Sequence, residues 1–379
     1  MALIQLPPSS SLSRNRGLTM SVTSKAPKTT KRAPTQGPAY SLYAFLAAIL
    51  AIYYAYPSES NPLHSFITIS YPEPAARGTG TVYAKGPRDL HFVAFYGVIL
   101  FAARDFTCHV LGDGLVHLLG IKGSGRTKFP QQLWEAVYFA FIALFGLYVM
   151  RHTPMWYFDM RGLFEGFPHR TLIGPFKVFY LLHSGNWVQA AAMTFLQLEK
   201  ARKDNRVLIL HHVVTLIAIP LVYMAHLTHF ALVMIIPHDI TDSLLSLAKC
   251  ISYTTKSPII SMPYFTFFVG SWIYFRHYIG GITFWTLLTQ YRPAITTAYG
   301  WAGEEDQWKA ATLHGIVVAL FGALQLMNAY WLFLILRIAA RALTGEIPKD
   351  DRESDEEGEA GNQNGKSHSQ SQSLNGKRK

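Results

Sequence analysis

LILHHVVTLIAIPLVYMAHLTHFALVMIIPHDITDSLLSLAK, residues 208–249, is the stretch whose reading decides the fold. Two long apolar runs meet at a short link, Ala225 to His229, and each run carries ionisable groups that lipid excludes. On the first run these are His211 and His212, with Thr215; on the second they are His238, Asp239 and Asp242. A charge at mid-bilayer costs at least ~3 kcal/mol on insertion scales, so an intramembrane His/Asp set marks a functional site. Both sets occupy positions i, i+1 and i+4. At roughly 100° per helical residue, Thr215 falls about 40° from His211, between the two histidines, and Asp242 falls about 40° from His238. Each helix therefore presents one polar sector and is apolar elsewhere. Counted from Thr228, the first set lies 13 to 17 residues away and the second 10 to 14. At about 1.5 Å per residue, antiparallel helices bring the sets within roughly one turn of each other. The expectation is a buried His–Asp cluster between two membrane helices.

The rest of the chain agrees with a membrane setting. Half of its 379 residues are hydrophobic, 15% are charged and the mean hydropathy is positive. This predicts an all-α polytopic membrane helical bundle of about 7–8 transmembrane helices between polar tails. The tails are residues 1–38 and 343–379, and the domain is 39–342. Spans are expected near 39–56, 89–111, 134–150, 174–197, 207–225, 230–251, 259–289 and 312–340; the first is the shortest, and seven is the alternative count. Eight spans put both tails on one side. The six basic residues from Arg14 to Arg32 assign that side to the cytoplasm. Links 112–133, 198–206 and 252–258 are then cytoplasmic, and 57–88, 151–173, 226–229 and 290–311 lumenal.

The N-terminal tail holds Ser, Pro, Lys, Arg and Thr without periodicity or an acidic residue, a composition expected to be disordered. It lacks the layout of a cleaved signal peptide. Beyond Ala340, DDRESDEEGE (350–359) begins a disordered acidic, then polar tail in which Ser354 suits an acid-directed kinase. The terminal GKRK matches a dilysine retrieval signal in part. Cys108 and Cys250 form neither a disulfide framework nor a CxxC motif. Pro220 and Pro237 sit inside spans, and a kink at Pro237 would open the helix beside His238. The net charge of +11 is spread over tails and loops, which fits a lipid surface rather than nucleic acid.

Neutral histidine is a general base at pH 7, and an aspartate behind it fixes its tautomer. The set therefore suits acyl transfer, in which a base deprotonates an attacking amine or imidazole itself becomes acylated. Metal binding is the competing chemistry. Membrane di-iron enzymes, however, need many histidines in HxxxH and HxxHH boxes, and this chain has one HH pair and one HxxH at 226–229, so no metal is expected. The link LEKARKDNR (198–206) places Lys200, Arg202, Lys203 and Arg206 directly before the HH helix. Such a basic loop holds phosphates, including those of coenzyme A, or serves as a positive-inside anchor. Other intramembrane polar groups are Arg104, Asp105, Lys177, His183, Asn186, Arg276, His277 and His314, read as structural. Of these, His183 and Asn186 share a face that could line a cavity, and Arg104/Asp105 and Arg276/His277 are placed towards span ends.

LEKARKDN (198–205), HHVVT (211–215) and HDITDSLLSLAK (238–249) together resemble the signature of TLC-domain ceramide synthases. WYFDMRGLFEGFP (156–168) and FKVFYLLHSGNWVQAA (176–191) resemble that family's upstream region, and DDRESDEE (350–357) its acidic C-terminal motif. The likeness covers approximately residues 80 to 358 and is to the shorter fungal or plant-like forms without a homeobox-like insert. It departs at Ala201, where proline is common.

The resemblance implies a TLC-type fold in the endoplasmic reticulum membrane and transfer of a fatty acyl group from acyl-CoA to a sphingoid base. It gives His211 and His212 the acyl-transfer role, with Asp239 and Asp242 orienting or charging them. His238, Thr215 and the basic link are then substrate-binding. Acyl-CoA is a co-substrate and no cofactor is bound. The last lumenal loop, about 290–310, is implied as a determinant of acyl-chain length. A homo- or hetero-oligomer or a small accessory subunit is compatible with this reading. The competing class is a non-catalytic TLC-domain lipid-binding or translocation-associated protein, which has no need of a general base.

Overall fold

Within hydrocarbon no water is available to bond the backbone, so a spanning chain of this composition is driven into helices that satisfy their own amides. The computed structural model describes residues 38–75, 80–196, 205–255, 257–301, 303 and 306–343. Both expected tails, apart from residues 38 and 343, and the link residues Lys200, Arg202 and Lys203 lie outside them. In chain order the helices are α1 (Tyr40–Ala55), the short α2 (His64–Ile67), α3 (Asp89–Phe106), α4 (Asp113–Leu118), α5 (Gly125–Arg151), α6 (Gly174–Phe195), α7 (Asn205–Met224), α8 (Thr228–Thr254), α9 (Pro258–Trp272), α10 (Gly280–Tyr299) and α11 (Gln307–Leu343). Two π-helical segments join neighbours without a break: Thr107–Gly112 links α3 to α4, and Ile273–Ile279 links α9 to α10. Among the described residues this leaves eight long helical segments, five of them long and apolar enough to cross a membrane. α6 and the α9–α10 unit are diluted by the polar residues they bring inside.

Burial is inverted relative to a water-soluble bundle. On α7, His211, His212, Val214 and Thr215 are buried while Leu210, Val213, Ile217 and Met224 are exposed. On α5 the exposed stripe is Val137, Phe141, Leu144 and Tyr148. Apolar side chains outward and polar ones inward is the arrangement that lipid selects. The protein is a multi-pass membrane protein.

Two element boundaries differ from the sequence expectation. α5 begins at Gly125 rather than near 134, so the link 112–133 shrinks to 119–124. Gln132 and Ser246 both bond Glu135 within the helix packing, which satisfies polar groups that in sequence resemble a loop. α10 runs on to Tyr299, so most of the expected 290–311 loop is helix. Tyr291 and Ile295 are fully buried there, and their packing overrides the loop-like RPAITT composition. Pro237 lies inside the continuous helix α8.

The connections sort into two ends. At one end, β1 (Pro72–Pro74), β2 (Thr81–Ala84) and β3 (Thr171–Ile173) form an antiparallel sheet, with Glu73 opposite Val82 and Val82 opposite Ile173. This small sheet is absent from the sequence reading. It ties the segment before α3 to the one before α6. His169 N–H bonds His226 O, and the Tyr299 hydroxyl bonds Ala225 O, which adds the α7–α8 turn and the end of α10 to the same side. At the other end Ile121 and Phe129 pack with Cys250, and Asp105 accepts bonds from Ala39 N and the Tyr43 hydroxyl to dock the start of α1. α3 and α6 cross closely enough that a Cβ at Gly185 would lie 3.1 Å from Gly97 N. Small residues permit such contact between membrane helices.

A buried ion pair fastens the sheet end. Lys177 Nζ on α6 lies 2.7 Å from Asp89 Oδ1 on α3 and donates to Ser70 O and Ala84 O. Asp89 Oδ2 accepts from the Tyr223 hydroxyl and Gly86 N–H. Nearby, burial and the Lys177 charge pull Lys85 down to about 7, and burial with His229 alongside pushes His169 down to about 3.

Two outcomes follow from this architecture. Lys177→Met strands the Asp89 carboxylate and should cost about 3–5 kcal/mol in detergent unfolding, with Lys177→Met/Asp89→Leu recovering part of the loss. Protease added to sealed microsomes should remove tags placed at the N-terminus and after residue 343 while sparing one inserted at 58–60; a split result for the two ends would contradict the eight-span parity.

Candidate functional site

The site assembles from four structural units, of which the opening stretch supplies two. α7 and α8 present His211, Thr215, His238 and Asp242 to one cavity of about 100 Å³. α6 adds His183 and Trp187 to the same wall. The cavity then runs between apolar walls to Val222, Phe230, Val317 and Phe321, towards the sheet end. From Asp242 to Phe230 is 12 residues of helix, or about 18 Å at 1.5 Å per residue. One end of the space is polar and the remainder is apolar. That division suits an amphiphile with a reactive head and a long tail.

A rigid polar hub backs the reactive end. Arg276, in the π-helical turn between α9 and α10, is buried. Its Nε donates to Thr241 Oγ1 at 2.7 Å, its guanidinium donates to Asn328 Oδ1, His238 O and Asp242 Oδ1, and its plane lies over Trp272 at 4.0 Å. Because Asn328 Oδ1 accepts from Arg276, its Nδ2 donates to His238 Nε2, at 3.1 Å. His238 Nε2 is then an acceptor and Nδ1 carries the proton, which it gives to Met234 O at 2.6 Å. His238 is thus held as one neutral tautomer with both nitrogens bonded.

The other polar groups are less satisfied. His183 Nδ1, His211 Nδ1, His212 Nδ1, Thr215 Oγ1 and Asp239 Oδ2 are all buried without a hydrogen-bond partner. Buried polar atoms are nearly always bonded; His183 Nδ1 and Asp239 Oδ2 face each other at 3.7 Å, and a ligand with polar atoms in the cavity would satisfy His211 and Thr215. His211 lies between two indoles, with ring centroids 5.2 Å from Trp187 and 5.4 Å from Trp331. His212 sits nearer the end of α6, its Nε2 3.0 Å from Thr194 Oγ1.

The structure brings His211, Thr215, His238 and Asp242 together as the spacing implied, with His212 beside them. It places the aspartates differently. Asp239 Oδ2 is 3.7 Å from His183 Nδ1, and Asp242 joins Arg276, so these carboxylates face α6 and the π-turn. The reason is packing: α8 lies mainly along α5, whereas α7 packs on α6 and α11 and meets α8 chiefly across the cavity. Of the basic link only Arg206 lies within the described residues, and it is exposed at the first turn of α7. His226 and His229 lie at the sheet end, where His229 stacks on His169. Asn328 and Trp331 were not singled out in the sequence, and Trp187 entered only as part of the stretch 176–191. Arg276 did carry a signal, as an ionisable residue far from either end of its helical unit, and its placement near a span end was a misreading.

A family model described as a TLC domain matches residues 128–337. Sphingosine N-acyltransferase lac1 of Schizosaccharomyces pombe is 37% identical over 295 residues, covering 77% of this chain and 75% of its own. Ceramide synthase LAG1 of Saccharomyces cerevisiae is 37% identical over 327 residues, covering 84% and 77%. Sphingosine N-acyltransferase-like protein FUM17 of Gibberella moniliformis is 37% identical over 325 residues, covering 83% and 81%.

The hub predicts a sharp intolerance at Arg276. A lysine ammonium cannot reach Thr241, Asn328 and Asp242 at once, so Arg276→Lys should lower stability by about 3 kcal/mol in detergent unfolding. Retention of the parental Tm would mean that the hub does not hold α8 to α10 and α11.

Proposed function

The chain belongs to the TLC domain family, and from that premise we propose that it is a ceramide synthase, joining a fatty acyl group from acyl-CoA to the amine of a sphingoid base. The observation that carries the reading is the cluster of unbonded polar atoms around His211 and His212 at the head of an apolar cavity. A lipid-binding protein would have no need of a general base among them. Long-chain acyl and sphingoid substrates are amphiphiles of the kind such a cavity accepts, and both reach it from a membrane.

The chemistry asks for a base in a dry place. An alkyl ammonium resembles the lysine side chain, with a pKa of about 10.4, and is protonated at neutral pH. It cannot attack a thioester until it gives up a proton. In the direct route a histidine takes that proton and the amine nitrogen bonds to the thioester carbon. The histidine gives up that first proton, takes the second N–H proton as the C–S bond of the adduct breaks, and hands it to the departing thiolate, so that amide, thiol and one free proton result. In the covalent route an imidazole nitrogen attacks first, releases the thiol as an acyl-imidazole forms, and the amine displaces the imidazole. We assign the reacting role to His211, whose ring faces the cavity, and a supporting role to His212, held by Thr194. Asp242, on the cavity wall and neutralised by Arg276, is placed to receive the amine end of the sphingoid base. Exclusion of water keeps the acyl group from hydrolysis.

The apolar extension towards Phe230 and Phe321 takes the acyl tail. The basic residues Lys200, Arg202, Lys203 and Arg206 before α7 bind the coenzyme A phosphates on the cytoplasmic side. The enzyme acts in the endoplasmic reticulum membrane, uses acyl-CoA as co-substrate and carries no resident cofactor.

Expressed in cells lacking ceramide synthesis, the wild-type chain should restore ceramide. His211→Ala should reduce output about 10²-fold or more, in the range general acid–base catalysis supplies. Equal ceramide from both would falsify the catalytic assignment. Brief incubation with acyl-CoA alone, followed by peptide mass analysis, distinguishes the routes: an acyl group on His211 marks the covalent one.

A further inference from the structure

What holds the His211 ring in place is not the carboxylate that its spacing suggested. Its Nδ1 has no hydrogen-bond partner, and the torsion that swings an imidazole is broad and soft when no bond fixes it. Both indoles against His211 therefore matter, and one of them is itself tethered. Trp187 Nε1 lies 2.6 Å from His183 Nε2. An indole N–H only donates, so His183 Nε2 accepts and the His183 proton sits on Nδ1. That Nδ1 faces Asp239 Oδ2 at 3.7 Å, and the two groups are 2% and 1% exposed. The same indole meets His211 and His212 edge-on, with ring centroids 5.2 and 5.8 Å away.

We propose that Trp187 is a positioning residue for both histidines, its indole locked by His183, which Asp239 backs in turn. The inference rests on the functional reading above and goes beyond it by assigning a role to Trp187, His183 and Asp239, to which that reading gives none. Asp239 acts two removes from the chemistry. It faces, at 3.7 Å, the ring of a histidine that accepts the tryptophan N–H, and the edge-on indole sets the angle at which His211 and His212 meet the substrate. His183 and Trp187 stand at i and i+4 on α6, so a single rigid helix carries the tether, and the close α3–α6 crossing at Gly97 and Gly185 lies within the same turns. Misplacing a reacting group by about 1 Å costs roughly 10²-fold in rate, so a loose indole would be felt in turnover more than in binding.

The test uses full-length protein purified in detergent and assayed with palmitoyl-CoA and sphinganine. Trp187→Phe keeps an aromatic ring but loses the N–H. His183→Gln keeps a side-chain acceptor for the indole, and His183→Leu keeps none. Trp187→Phe and His183→Leu should each lower kcat about tenfold or more with KM for acyl-CoA within about threefold, and His183→Gln should recover at least about a third of kcat. Wild-type kcat in Trp187→Phe overturns the proposal. So does a Gln/Leu kcat ratio of one, because both substitutions remove the same ring and any repacking loss common to them cancels. If the wild-type protein itself forms no ceramide, the functional reading fails instead; with an active wild type only the positioning role is at stake.

Discussion

Hydrocarbon cannot hydrate a charge, and this constraint orients every helix of the protein. Each spanning element turns its polar residues to the interior because the alternative costs several kcal/mol per group. Once inside, those residues must find one another, since a buried unpaired charge is more costly than a buried pair. The bundle therefore has two polar levels. One is the Lys177–Asp89 pair with its backbone carbonyls and Tyr223, which welds α3, α6 and α7 to the sheet. The other is the Arg276 hub, which joins α8, the α9–α10 unit and α11.

The second level divides into groups with complete bonding and groups without it. Arg276, Asn328, Thr241 and His238 satisfy one another and form a frame. His183, His211, His212, Thr215 and Asp239 each keep a buried polar atom unbonded, and all belong to α6, α7 or the facing turn of α8. A rigid frame beside an under-bonded set is the arrangement expected of a site that is organised before substrate arrives. The π-helical turn serves the frame. It carries Arg276, which reaches Thr241 and Asp242 on α8 and Asn328 on α11, and such bulges are frequent at functional sites.

Much of this was legible in the residues. The i, i+1, i+4 pattern of His211/His212/Thr215 and His238/Asp239/Asp242 pointed to inward sectors at similar depth, and four of the six line one cavity. The helical segments were recognisable from apolar length, because lipid imposes the same requirement on every span. Boundaries were misjudged at the start of α5, where Gln132 joins Glu135 and through it Ser246 of α8, and at the end of α10, where the burial of Tyr291 and Ile295 outweighs the loop-like Arg292 and Pro293. The three short strands escaped notice because their pairing is not local: Val82 and Ile173 are separated by the whole of α3, α4 and α5.

The sequence by itself determined that this is a membrane bundle with a buried His–Asp set, and the likeness of its motifs determined the class of reaction. Periodicity and hydropathy are properties of one helix at a time, and they are sufficient for that. Tertiary structure alone decided which carboxylate serves which base. The spacing suggested aspartates behind His211 and His212, yet Asp239 faces His183 and Asp242 faces Arg276, with Trp187 and Trp331 flanking His211. A partner across the bundle depends on how helices cross and wind, and these are set by packing at places such as Gly97, Gly185 and the π-turn. No local pattern encodes them.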